Sequence, residues 1–171
     1  EENNRFSSFD NFNKWFQSRE KAHKFEVKQI LFKELDNWGF EELSKNIVHS
    51  SGKFFRIEGL RVQTSFGSQS SWEQPIINQP EIGILGIITK KFDGIQYFLM
   101  QSKMEPGNIN ITQLSPTLQA TKSNYTRAHQ GKQPLFLDYF QDRKKSKIIV
   151  DQLQSEQGAM FLRKRNRNII I

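Results

Sequence analysis

Two apolar, β-branched runs, residues 82–89 and 95–103, flank Asp93-Gly94, and this pairing constrains the fold more than any other feature of the chain. Asp-Gly supplies the two positive-φ residues of a tight turn whose twist matches the strands it joins, so the segment predicts a β-hairpin. In its second strand Tyr97, Leu99, Gln101 and Lys103 fall on one face by period-two alternation. Glu105 joins them if the chain stays extended, which the following Pro106 favours. Alternation resumes from Gln113 to Thr121, where Gln113, Ser115, Thr117, Gln119 and Thr121 interleave with Leu114, Pro116, Leu118 and Ala120. An extended chain there turns one face to a core and the other to water or to a hydroxylated ligand.

The remaining segments give an order of helices and strands. Phe9, Phe12, Trp15 and Phe16 recur at helical spacing behind Ser7 and Ser8, which predicts a capped amphipathic helix packing an aromatic edge on the core. A second short helix is expected over residues 32–38, ahead of Gly39, and Gly52 marks a tight turn before strand-like residues up to Glu58. Residues 65–71, rich in Ser, Gly and Gln, read as a surface loop, and Pro75 and Pro80 are expected to limit regular pairing after it. Ser123 is a cap for a short helix through Ala128 that stops near Gly131, with apolar segments following at 135–140 and 147–150. Residues 155–165 carry Glu in the first turn and Arg and Lys in the last, predicting a helix matched to its macrodipole, and Ile169 to Ile171 should form a strand. A central mixed sheet flanked by helices, an α+β fold, follows from that order.

At 171 residues the chain is expected to form one domain. It has no apolar run long enough to cross a bilayer, its first residues lack the pattern of a secretory signal, and it has no cysteine, so a soluble cytoplasmic protein is expected. Twenty-five Lys and Arg against 18 Asp and Glu give a formal charge of +7, compatible with phosphates of a nucleic acid or of a nucleotide sugar. Much of that charge lies in Arg143-Lys-Lys-Ser-Lys147 and Arg163-Lys-Arg-Asn-Arg167, which read as solvated faces. A nucleic-acid binder interleaves such charges with exposed aromatics, whereas the 15 Phe here sit mostly at core-like spacings.

Five blocks carry a resemblance. They are His49-Ser-Ser-Gly-Lys-Phe-Phe55, Trp72-Glu-Gln-Pro-Ile-Ile-Asn-Gln-Pro80 with its continuation to Gly86, Lys103-Met-Glu-Pro-Gly-Asn108, Gln113-Leu-Ser-Pro-Thr-Leu-Gln-Ala-Thr-Lys-Ser-Asn-Tyr-Thr-Arg127, and Phe161-Leu-Arg-Lys-Arg-Asn-Arg-Asn168. Together they resemble the NDP-hexose 2,3-dehydratase family over nearly the whole chain. That family joins two related modules in tandem, and the chain is similar to the first, the second being the main departure. The resemblance implies a Nudix-like fold. The Nudix signature, a Gly-led helix bearing several Glu for magnesium, is missing from residues 113–127, which occupy the comparable region, so metal-dependent pyrophosphate hydrolysis lacks its ligands.

The same resemblance implies removal of the C-2 hydroxyl of a dTDP-4-keto-6-deoxyhexose, giving a 3,4-diketo-2,6-dideoxyhexose in deoxysugar biosynthesis. The substrate's own ketone is the electron sink, so no cofactor is expected. Lys103 is the candidate for enolate stabilisation or for the base, and Glu105 is the other acid-base candidate. The alternative is a Lys-Glu clasp that fixes the bend before Pro106 and Gly107. Tyr125 can protonate the departing hydroxyl, stack on the base, or fill the core. Gln101, Asn108, Gln113, Gln119 and Asn124 suit sugar hydroxyls and base edges, since each amide donates and accepts. Arg127, Arg163 and Arg165 are candidates for forked bonds to the diphosphate. Trp72 either covers the ligand or closes the core edge, and His49 and His129 read as structural or rim residues.

No metal site is expected. The expected partners are the nucleotide sugar, a second copy or a companion module, and a downstream 3-ketoreductase. The rival readings are a nucleotide-sugar binder without catalysis and, from the basic runs, a nucleic-acid-binding protein.

Overall fold

The computed structural model describes residues 7–121, 133–142 and 144–171. Ten strands make two sheets among these residues. The first sheet is a four-stranded antiparallel meander of β1 (Trp38–Phe40), β2 (Ile47–His49), β3 (Arg56–Gln63) and β4 (Ser71–Asn78), in that order. The second has the order β7-β6-β5-β10-β9, built from β5 (Gly83–Phe92), β6 (Ile95–Met104), β7 (Thr112–Pro116), β9 (Val150–Ser155) and β10 (Arg165–Ile170). A further strand, β8 (Leu118–Ala120), pairs with β5. Only β5 and β10 run parallel, so this sheet is mixed and the class is α+β, consistent with a Nudix-like fold. The single central sheet expected from the sequence is instead two sheets.

The hairpin forms as predicted. Asp93 and Gly94 take φ of 50° and 83°, and Phe92 pairs with Ile95 across the turn. On the core face of β5 sit Ile84, Gly86 and Ile88, which pack with Leu118, Ala120, Ile169, Ile171 and the short helix α2 (Leu137–Gln141). Gly86 packs against the Phe140 ring, and a Cβ there would fall inside the ring's van der Waals envelope. Here glycine is required by close approach rather than by backbone conformation.

Three expectations change. Pro75 does not interrupt pairing: β4 matches β3 residue for residue from Ser71 to Asn78. As the last strand of its sheet, β4 tolerates a residue that has no N–H. The helix expected over residues 155–165 is absent; β9 ends at Ser155, and a loop leads back into β10. That loop is anchored to the first sheet, because Ile77 N donates to Met160 O at 2.8 Å and Leu162 N donates to Ile77 O at 2.9 Å. Tertiary hydrogen bonds outweigh a helical charge pattern in a segment that holds a glycine, Gly158. The helix expected over residues 32–38 shrinks to one 3-10 turn, Phe32–Glu34.

Helix α1 (Phe9–Ala22) forms with Ser8 as its cap, whose Oγ accepts from Asn11 N at 3.2 Å. Its aromatic stripe stacks on itself, with Phe12 ring centroids 5.9 Å from Trp15 and 5.8 Å from Phe16, and no α1 residue is buried. The expected core packing of this stripe is therefore not seen among the described residues. Gly52 has φ of 67° in the predicted turn. The short helix expected from Ser123 to Ala128 lies outside the described residues. No described helix is long and apolar enough to cross a membrane.

Candidate active site

The candidate site grows from a fork in the hairpin. From Phe92 back to Ile88, β5 pairs with β6, ending at the Ile88 and Leu99 pair. Beyond that point the two strands take new partners: β6 pairs with β7 over residues 100–104, and β5 pairs with β8 over residues 84–86. Since β7 and β8 are antiparallel to strands that oppose one another, the chain reverses at Thr117. That residue fills the apex. Its buried hydroxyl accepts from Ile88 N at 2.9 Å and donates to Leu99 O, replacing the ladder bonds that the fork interrupts.

The reversal resets the alternation expected over residues 113–121. Leu118 and Ala120 are buried as predicted, but Ser115 and Thr117 are buried as well, and Leu114 is exposed. One apical residue shifts the phase between β7 and β8, so neither face is uniformly polar.

Lys103, Glu105 and Gln119 meet at this fork. Lys103 Nζ lies 3.1 Å from Glu105 Oε1 and donates to Gln119 Oε1 at 2.9 Å. Gln113 stands opposite Lys103 in the β6 and β7 register, and its side chain is exposed. The Lys103 and Glu105 side chains retain 29% and 41% exposure, so a ligand reaches them without unfolding the strands. The arrangement presents an ammonium, a carboxylate and two amides together. An ammonium can stabilise a developing enolate while a carboxylate beside it takes a proton.

Two predicted ligands serve the backbone instead. Gln101 Nε2 donates to Pro116 O at 3.0 Å and to Thr117 O at 3.4 Å, which ties β6 to the apex. Asn108 Nδ2 donates to Ile111 O at 3.0 Å inside the loop from β6 to β7, where Asn108 N also donates to Glu105 O at 3.1 Å. That loop fixes the position of Glu105.

The sequence profile of the family described as NDP-hexose 2,3-dehydratase matches residues 9–171. The chain belongs to the NDP-hexose 2,3-dehydratase family. Among curated proteins it is 52% identical over 160 residues to a dTDP-4-dehydro-6-deoxy-alpha-D-glucopyranose 2,3-dehydratase of Saccharopolyspora spinosa, covering 94% of this chain and 33% of that protein. It is 52% identical over 162 residues to a protein of the same name from Amycolatopsis orientalis, covering 92% and 34% respectively. A third of that name, from Streptomyces violaceoruber, is 47% identical over 161 residues, covering 94% and 36%. The chain thus spans about a third of the length of the curated relatives it matches.

In this member of the NDP-hexose 2,3-dehydratase family the remaining candidates among the described residues are not in contact with Lys103, Glu105 or Gln119. Trp72 is on β4 in the first sheet, and its indole N–H donates to Gln74 Oε1 at 2.8 Å. Arg163 and Arg165 are exposed and make no ion pair among the described residues. Arg163 has a left-handed φ of 51° in the loop before β10. Tyr125, Asn124, Arg127 and His129 lie outside the described residues. His49 packs against Trp38 and Phe54, with ring centroids 5.3 Å and 4.4 Å away, which agrees with a structural role.

The basic run 163–167 is not the solvated face expected. Arg167 is half-buried and pairs with Asp151, which holds its guanidinium above the ordinary value. Lys164 is buried and donates from Nζ to Glu81 O. Next to it, Asn166 donates to Glu156 Oε1 and accepts from Gly83 N at 3.1 Å. Burial alternates along the run, with Lys164 and Asn166 buried and Arg163 and Arg165 exposed, although only Arg165 and the residues after it belong to β10.

Burial pulls the Lys164 ammonium below its ordinary value, against the opposing pull of Glu81 and Glu156. The folded chain then binds fewer protons at this site than the unfolded chain, so stability rises with pH between the folded and unfolded values of the lysine. The parent should gain stability relative to Lys164→Met as the pH climbs towards about 10.4. Denaturant midpoints of the two proteins at pH 7, 9 and 10 measure this, and a constant difference would contradict it.

Proposed function

We propose that this chain provides the nucleotide-sugar pocket of a 2,3-dehydratase acting on a dTDP-4-keto-6-deoxyhexose in deoxysugar biosynthesis. The reading rests on the convergence of Lys103, Glu105 and Gln119 at the fork, in a chain of this family. The C-4 ketone acidifies the hydrogen on C-3. Glu105 removes that proton, and the Lys103 ammonium, with Gln113 and Gln119, holds the enolate oxygen. The C-2 hydroxyl then departs with a proton as water, leaving an enol that tautomerises to the 3,4-diketone. Carbon oxidation and reduction balance within the sugar. Tyr125 is the proposed donor to the leaving hydroxyl, with Asn124 on the sugar and Arg127, Arg163 and Arg165 on the diphosphate.

The protein is incubated with dTDP-4-dehydro-6-deoxyglucose, a 3-ketoreductase, the enzyme class that must consume so unstable a diketone, and the nicotinamide reductant of that enzyme. A product that has lost one water and gained two hydrogens, identified by mass, supports catalysis. A thermal shift with the dTDP-sugar and no turnover supports the second reading, a binding module without catalysis. Because the electron sink is the substrate's ketone, turnover should survive EDTA. Loss of activity restored by a divalent ion would overturn that expectation.

The proposal includes a cytoplasmic setting and a second copy or companion module. The unburied aromatic stripe of α1 supports association, since a solvated row of Phe and Trp is unfavourable. Sedimentation should show self-association at high concentration; a clean monomer would count against it.

A further inference from the structure

Two side chains are built into the hinge of the fork and do no chemistry of their own. Ile88 and Leu99 are the last pair of the β5 and β6 ladder, and the Thr117 hydroxyl stands between them, accepting from Ile88 N and donating to Leu99 O. It is a wedge that ends the ladder while serving both of its last groups. Without the hydroxyl, that N–H and that carbonyl must find new partners, and the two strands must shift to supply them. Gln101, two residues beyond Leu99, straps the reversal through Nε2 to Pro116 O at 3.0 Å and to Thr117 O at 3.4 Å. Wedge and strap together fix the angle between two arms. One arm is β6 with β7, which carries Lys103, and the other is β5 with β8, which carries Gln119.

Lys103 lies four residues beyond Leu99, about 13 Å along the strand, and Gln119 lies two residues beyond Thr117. At that lever length a change of about ten degrees in the fork moves Lys103 by about 2 Å, enough to break its 2.9 Å bond to Gln119. A catalytic group misplaced by about 1 Å loses up to about a hundredfold in rate. We propose that Thr117 and Gln101 are positioning residues, which hold the Lys103 ammonium against Gln119 and through that contact set the rate at the fork. The effect on rate rests on the proposed dehydratase reading, whereas the effect on Lys103 does not.

The parent, Thr117→Val, Thr117→Ser and Gln101→Leu are treated with acetic anhydride, and acetylation of Lys103 relative to the exposed Lys14 is read by peptide mass spectrometry. Thr117→Val keeps the side-chain shape and deletes the hydroxyl. Gln101→Leu deletes only an exposed amide, so it tests the same point if the buried substitution fails to fold. In both, Lys103 should react faster by about threefold or more, the equivalent of one released hydrogen bond. Thr117→Ser keeps the hydroxyl and should label as the parent does. In the coupled assay Thr117→Val and Gln101→Leu should lower kcat by about ten- to a hundredfold with KM little changed, and Thr117→Ser should recover most of that loss. Unchanged Lys103 labelling in the folded variants would overturn the proposal, as would a normal kcat in both or a loss that Thr117→Ser shares in full. A parent without turnover would refute the dehydratase reading and the rate effect with it, while faster labelling in the variants would still establish that these two residues hold Lys103.

Discussion

Lys103→Met and Glu105→Gln should each lower turnover by two or more decades, the order of magnitude expected when a general base or an oxyanion donor is removed. The two side chains touch at 3.1 Å, and Gln119 completes the cluster by accepting from Lys103. Neither change should unfold the protein, because a partly exposed ion pair contributes only about 0–1 kcal/mol to stability. Affinity for dTDP should also change little, since the proposed diphosphate contacts are Arg127, Arg163 and Arg165. Replacing Arg163 or Arg165 should instead weaken dTDP binding. Rates, melting temperatures and dTDP affinities measured on the same preparations separate these outcomes. Near-normal rates in both folded variants would reduce the pair to a clasp before Pro106 and Gly107, and would move the proton transfer to Tyr125 or His129.

The parts of this site that were legible in the sequence are those set by local alternation. Asp93-Gly94 determines the hairpin, the hairpin determines which β6 residues share a face, and Lys103 and Glu105 follow from that face. The fork was not legible. Its apex is a single threonine whose hydroxyl stands in for two ladder partners, and continuous alternation through residues 113–121 conceals the reversal. Gln101 and Asn108 carry the amides that a sugar site needs, but they are taken up by carbonyls of the reversal and of the loop after β6. The helix expected over residues 155–165 failed for a related reason. Its charge order fits a macrodipole, yet β10 runs beside β5 and the loop before it is held by Ile77 on β4, both contacts far away in sequence. Lys164 was hidden by its neighbours: between two arginines it reads as one more surface charge, although its ammonium turns inward to the Glu81 carbonyl.

The core that supports the fork makes the second large prediction. Phe140, 5% exposed, packs against Gly86, whose strand pairs with β8 on one side and β10 on the other. Gly86→Ala forces a methyl group into that ring, and overpacking of this kind typically costs about 1–3 kcal/mol. Phe140→Ala removes the ring from among Ile84, Leu118 and Ile169, and emptying an aromatic core site costs about 3–5 kcal/mol. The two changes compensate in space, because the methyl at position 86 enters volume that the ring has vacated. The double variant should therefore lose less stability than the sum of the single losses, by about 0.5–3 kcal/mol, the range for residues in direct contact. Urea midpoints for the four proteins give that coupling. Strict additivity would mean that the ring does not rest on Gly86 in solution, and that the strand carrying Ile88 to the fork apex is positioned by other contacts.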